Sequence, residues 1–245
     1  MNTRLKAVIL AAGKGTRLAS ESSNLPKVMR VVAGQPLIGH VMNALNFIPP
    51  ADRIIVVGYM KEKVTEAFPE CDFAIQEQQL GTGHAVMAAY SVLEDFDGDI
   101  LICCGDMPLL KRESYSGLVE LHRAEGNTCT ILSGTTSLNL AFGRILRDED
   151  GVFCGMVEEK DASEEQKRII EMNSGVYVFN ATALKSVLSD LKTDNSQGEY
   201  YLTDAPLLLL KKGAKVGICT RDLGYEIIGV NTPEQLAQAE EFLLK

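Results

Sequence analysis

Behind a short apolar run the chain carries Leu10-Ala11-Ala12-Gly13-Lys14-Gly15-Thr16-Arg17-Leu18, and Pro26-Lys27 follows. Glycines placed after a buried strand let the backbone turn sharply and point several N–H groups at one anion. Lys14, Arg17 and Lys27 add positive charge in the same short stretch. In a chain of formal charge −9, cations concentrated this way suit a polyphosphate. Two familiar phosphate motifs are excluded. The dinucleotide fingerprint needs a small residue where Leu18 stands, and the Gly-Lys-Ser/Thr ending of a Walker A loop is absent.

A second polar stretch runs Gln76-Glu-Gln-Gln79-Leu-Gly81-Thr82-Gly83-His84. Amide side chains and free backbone N–H groups at a helix start can read the edge of a nucleobase, donor against acceptor. His84 falls inside the helical pattern and reads as a structural hydrogen-bonding group. A third stretch, Cys103-Cys104-Gly105-Asp106-Met107-Pro108, puts a carboxylate at the end of an apolar run, where it can hold a hard cation. Side chains alternate along a strand, so one of Cys103 and Cys104 is expected in the core and the other toward the cleft. Further on, Gly143, Glu158, Asn173 and Asn231 stand in glycine-flanked turns, able to satisfy sugar hydroxyls.

These stretches need strands to carry them. Residues 7–11, 53–57 and 99–103 read as strands buried on both faces, and 36–46 and 82–93 as the helices between them. Such alternation predicts an α/β fold: a Rossmann-like, mostly parallel central sheet flanked by helices. In the second half, 143–147, 152–158 and 175–179 read as strands, and 201–212 and 233–244 as helices. The later part is expected to add an insertion over the sheet. Ligands of open parallel sheets lie beyond the carboxyl ends of the strands, the end that carries all three stretches. The 245 residues read as one domain, without repeat or linker.

An excess of 33 acidic over 24 basic residues opposes nucleic-acid binding, which needs a basic footprint. Six cysteines with no C-x-x-C pair give neither a zinc ribbon nor a disulfide framework, and most lie among Val, Ile and Leu, which points to a reducing, cytoplasmic setting. No apolar run approaches the ~18 residues of a membrane span, and the N-terminal apolar stretch is too short for a signal peptide.

Taken in order, the motifs L-A-A-G-x-G-T-R with P-K, Q-L-G-T-G-H-A, V-E-x-K-D-A, N-x-G and Q-G-E-Y-Y-L-T-D resemble the nucleotide-sugar pyrophosphorylases over essentially the whole chain. The likeness is greatest to the uridylyltransferase halves of bifunctional uridylyltransferase/acetyltransferases. The resemblance implies a nucleotide-diphospho-sugar transferase fold with a sugar-binding insertion. It also implies synthesis of UDP-N-acetylglucosamine and pyrophosphate from UTP and N-acetylglucosamine 1-phosphate, with Mg²⁺ as cofactor. By that resemblance Leu10, Ala11, Ala12 and Gly13 with Lys27 and Gly105 would hold the nucleotide, and Gln76, Gly81 and Thr82 would read uracil. Asp106 and Asn231 would hold Mg²⁺, Gly143, Glu158 and Asn173 would bind the sugar, and Arg17 would stabilise the leaving pyrophosphate. Cys104, Phe142 and Ser174 stand where the family often has Tyr, Tyr and Thr. The hexapeptide-repeat β-helix of the bifunctional relatives is not expected in residues 1–245. Another sugar 1-phosphate or base, a non-catalytic nucleotide-sugar-binding module, and a homo-oligomer remain open at this point.

Overall fold

The computed structural model describes residues 4–18, 24–136, 138 and 140–245. The chain opens with β1 (Leu5–Leu10), followed by single 3-10 turns at Thr16–Leu18 and Lys27–Met29. A two-residue ladder of β2 (Val31–Val32) and β3 (Gln35–Pro36) leads into α1 (Leu37–Ala44). Then come β4 (Arg53–Val57), α2 (Lys61–Ala67), β5 (Asp72–Ile75), α3 (Thr82–Leu93), β6 (Asp99–Cys104), α4 (Arg112–Glu125) and β7 (Cys129–Thr135). The second half holds β8 (Arg144–Arg147), β9 (Phe153–Val157), β10 (Glu171–Asn180), α5 (Ala181–Leu188), α6 (Asp204–Lys211), β11 (Val216–Asp222) and α7 (Pro233–Leu243).

The main sheet runs β11-β7-β10-β6-β1-β4-β5, with the β8–β9 hairpin attached to β10. It is parallel except around β10, which runs antiparallel to both β6 and β7. The apolar character of β1, β4 and β6 on both faces follows from two helix layers. Ala7, Ile9, Leu101 and Cys103 pack with Ile38 of α1 and Leu118 of α4. Their neighbours Val8, Ile100 and Ile102 face the other way, against Ala85 and Ala89 of α3 and Leu184 of α5. Alternation along each strand thus feeds two separate cores.

Two expectations are corrected. The strand expected at 175–179 runs from Glu171 to Asn180, and its register shifts between Asn173 and Val176. Gly175, at φ +75°, makes the bulge, so a stretch that reads as a turn is a kink inside a strand. The helix expected at 201–212 begins at Asp204, because Leu202 N–H is drawn to the Thr82 hydroxyl at 3.0 Å instead of into a helical ladder. Cys154 is exposed, whereas Cys71, Cys103, Cys129 and Cys219 are buried as expected, and all six thiols are free. Among the described residues no helix is long and apolar enough to cross a membrane.

A reciprocal capping box opens α7: the Thr232 hydroxyl accepts from Gln235 N–H, and the Gln235 amide accepts from Thr232 N–H. The same Gln235 oxygen accepts from Asn231 N–H at 2.8 Å, so this cap also fixes the residue before it. Gln235→Ala is expected to cost about 1 kcal/mol, a fall in Tm of roughly 2–4 °C read by calorimetry.

Candidate active site

The loops at the carboxyl ends of β1 and β6 start from paired residues, since Leu10 and Cys104 are register partners. Gly105 N–H donates to Leu10 carbonyl at 2.9 Å, tying the two turns together. Gly105 therefore spends its donor inside the fold, and it is not among the residues lining either cavity described below. Its place is to hold the turn, where a side chain would press on Val28 and the Leu10 carbonyl.

The first cavity is walled by Leu10, Ala11, Ala12 and Gly13 on one side and by Gln76, Gln79, Gly81 and Thr82 on the other. Gln76 is buried, and its amide nitrogen donates to Gly81 carbonyl (3.1 Å) and His84 Nδ1 (3.0 Å). His84 is thus held as a structural acceptor, stacked on Tyr200. Gly81 sits at φ +108°, and a Cβ there would come within 2.5 Å of Tyr200 carbonyl. Only glycine fits. Further hydrogen bonds, Gly83 N–H to Tyr200 carbonyl and Tyr200 N–H to Leu80 carbonyl, zip this loop to the 197–203 strap.

At the floor, Lys27 Nζ lies between Asp106 and Asn231, donating to Asp106 Oδ2 and to Asn231 Oδ1 at 2.7 Å. Val230 N–H donates to Asp106 carbonyl, which brings the loop before α7 beside the end of β6. Arg17 is exposed at the rim and reaches Asn231 Oδ1 at 3.3 Å. A carboxylate and an amide oxygen here converge on one cationic group. Such a pair of hard oxygen donors suits a divalent ion whose other ligands come from phosphates and water. Among the described residues no cluster of three or more His, Cys, Asp or Glu offers a site closed by protein alone.

The second cavity opens beyond Cys104 and Asp106, which line both, and brings together Gly143, Glu158, Asn173 and Asn231. The β10 bulge aims Asn173: its Nδ2 donates to the Tyr177 hydroxyl at 2.7 Å and its Oδ1 accepts from Gly175 N–H. Buried Arg144 donates to Phe142 carbonyl and pairs with Glu159 at 3.0 Å, bracing the Gly143 loop. Burial raises the pKa of Glu158, the nearby Asp161 and Asp204 raise it further, and a hydrogen bond from Thr203 (3.0 Å) opposes them. Thr203 and Glu199 also line the cleft, and in the sequence only the Q-G-E-Y-Y-L-T-D motif marks them. Cys103 faces the core and Cys104 the cleft, as strand alternation requires, but burial and Asp106 push the Cys104 thiol up to about 12.

A nucleotidyl transferase family model matches residues 6–243. The chain belongs to the nucleotidyl transferase family. This nucleotidyl transferase is 46% identical over 242 residues to the bifunctional protein GlmU of Syntrophomonas wolfei, matching 98% of this chain and 53% of that protein. It is 45% identical over 240 residues to GlmU of Caldanaerobacter subterraneus, over 98% of this chain and 51% of that one. The chain therefore spans about half the length of the curated relatives it matches. A structure assigned to a glucose-1-phosphate thymidylyltransferase of Bacillus anthracis superposes with a TM-score of 0.74 over 98% of this chain and 95% of that one, at 19% identity, so it shares the fold.

Two outcomes follow for this nucleotidyl transferase. Gly81→Ala is expected to cost roughly 1–3 kcal/mol, since the strain falls on backbone, read by thermal melts. Maleimide is expected to label exposed Cys154 first with no loss of activity, and mass spectrometry of Cys154→Ser should show that label gone.

Proposed function

We propose that this chain is a uridylyltransferase, making UDP-N-acetylglucosamine and pyrophosphate from UTP and N-acetylglucosamine 1-phosphate. The observation that carries the reading is the junction of the two cavities at Asp106, Lys27 and Asn231. The 45–46% identity to GlmU proteins of two bacteria supports the choice of base and sugar.

In this reading the Leu10–Gly13 backbone and Lys27 hold the triphosphate, and Gln76, Gly81 and Thr82 meet the uracil edge. Glu158, Asn173 and Gly143 receive the amino sugar. The sugar phosphate is already an anionic nucleophile, so no general base is needed. One of its oxygens attacks the α-phosphorus in line, the bond from the α-phosphorus to the bridging oxygen breaks, and pyrophosphate leaves with the electron pair. The task of the protein is to bring two anions together and to meet charge on the departing group, which Lys27 and Arg17 do by position. Members of the family generally use a divalent metal. Here Asp106 and Asn231 would hold Mg²⁺, which supplies charge neutralisation for the phosphates. Lys27 would then turn its ammonium from these oxygens to the phosphates.

Pyrophosphate release across a panel of nucleotides and sugar phosphates tests the reading. UTP with N-acetylglucosamine 1-phosphate should exceed every other pair, and chelation should abolish turnover until Mg²⁺ is restored. Lys27→Ala should lower kcat/KM by roughly 10²-fold, as single preorganised electrostatic groups do. A preference for glucose 1-phosphate or dTTP would move the reading to another pyrophosphorylase, and no turnover with any pair would leave a binding module.

A further inference from the structure

Thr203 stands directly before α6, where a hydroxyl residue usually caps the helix by accepting from its first free N–H groups. Asn180 before α5 and Thr232 before α7 do so with their side chains. Thr203 does not. Its backbone angles are already helical (φ −58°, ψ −19°), its side chain makes no capping bond, and its hydroxyl donates to Glu158 Oε1 at 3.0 Å. The residue is buried and lines the second cavity. The residue before it is anchored as well, because Leu202 N–H donates to the Thr82 hydroxyl at 3.0 Å.

Glu158 has a difficult position. It is buried, and Asp161 in the turn after β9 and Asp204 at the start of α6 face it with like charge. Cys104 at the end of β6 and Tyr177 of β10 bring an uncharged thiol and phenol to the same carboxylate. Of the groups acting on Glu158, the Thr203 hydroxyl is the one that favours its charged form. With Oε1 taken by Thr203, Oε2 is turned toward Gly143, 3.5 Å from where a side chain there would begin.

We propose that Thr203 is a positioning residue for sugar recognition: its hydroxyl fixes the Glu158 carboxylate so that the second oxygen accepts hydrogen bonds from the hydroxyls of the sugar phosphate. This rests on the reading of Glu158 as the sugar-binding carboxylate in the proposed reaction. Thr203 forgoes a cap on α6 and instead prepares an acceptor in the cleft. An ionised, aimed Glu158 discriminates by leaving itself unpaired against a sugar that lacks the matching hydroxyl.

Thr203→Val keeps the shape and removes the hydroxyl, whereas Thr203→Ser keeps the hydroxyl. Calorimetric titration with UDP-N-acetylglucosamine and with UDP, alongside steady-state kinetics over pH, separates the outcomes. Thr203→Val is expected to weaken UDP-N-acetylglucosamine roughly tenfold, the scale of one charged hydrogen bond, with UDP affinity unchanged. KM for the sugar phosphate should rise while KM for UTP stays. Without the hydroxyl, Glu158 takes up a proton at higher pH, so the acid-side fall of kcat/KM for the sugar phosphate should move to higher pH. Thr203→Ser should behave as wild type in each measurement. The proposal is overturned if Thr203→Val keeps wild-type sugar affinity and pH profile, if UDP and UDP-N-acetylglucosamine weaken alike, or if Ser does not rescue. Failure of the proposed reaction shows in the wild type itself, as no pyrophosphate release and no preference for UDP-N-acetylglucosamine over UDP, and takes this assignment with it.

Discussion

The site depends on one rung of the sheet. Leu10 and Cys104 are partners across β1 and β6, so the turn that offers backbone N–H groups and the turn that ends in Asp106 leave the sheet side by side. A carboxylate beside exposed backbone N–H groups would repel any anion those groups attract unless a cation stood between them. Lys27, delivered by the 3-10 turn after Pro26, stands there. The same cation meets Asn231, whose loop is moored to Asp106 through Val230. Four segments far apart in the chain are thereby committed to one spot, and the charge balance of that spot is set locally, against a net charge of −9 for the whole molecule.

Much of this was legible in the sequence where a single physical pattern governed a segment. β1, β4 and β6 lie inside two helix layers, so they read as apolar runs, and α3 shows its small residues at helical spacing because that face packs on the sheet. β10 was half legible: Asn173-Ser174-Gly175 has the composition of a turn, and a bulge uses the same residues for the same left-handed backbone. β7 carries Thr130, Ser133 and Gly134 in its span, polar or small residues buried by partners that lie elsewhere in the chain, so it shows no single pattern, and β5, β11, α2, α4 and α5 are likewise not legible as elements. At the site, motif residues came together because motifs record chemistry. Thr203 was quoted within a motif yet carried no role of its own, since its role depends on where its hydroxyl turns, and that follows from the Thr82–Leu202 bond.

The two cavities differ in how they use polarity. The first cavity is built from backbone and amides, with Gly81 and Gly83 pressed against Tyr200 so that no side chain intrudes. The second uses buried side chains, Asn173 and Glu158, each steadied by a second group (Tyr177 and Thr203). Backbone donors tolerate many anions. Aimed side-chain acceptors exclude ligands of the wrong shape, so in the proposed reaction selectivity for the sugar would rest on side chains that ordinary substitution can retune.

The Gln235 amide closes the capping box of α7 and also receives Asn231 N–H. A fragment cut just beyond Asn231 would therefore retain every motif residue of the cleft while losing the support that orients its last oxygen. The placement of Asn231 thus leans on a helix that lines neither cavity.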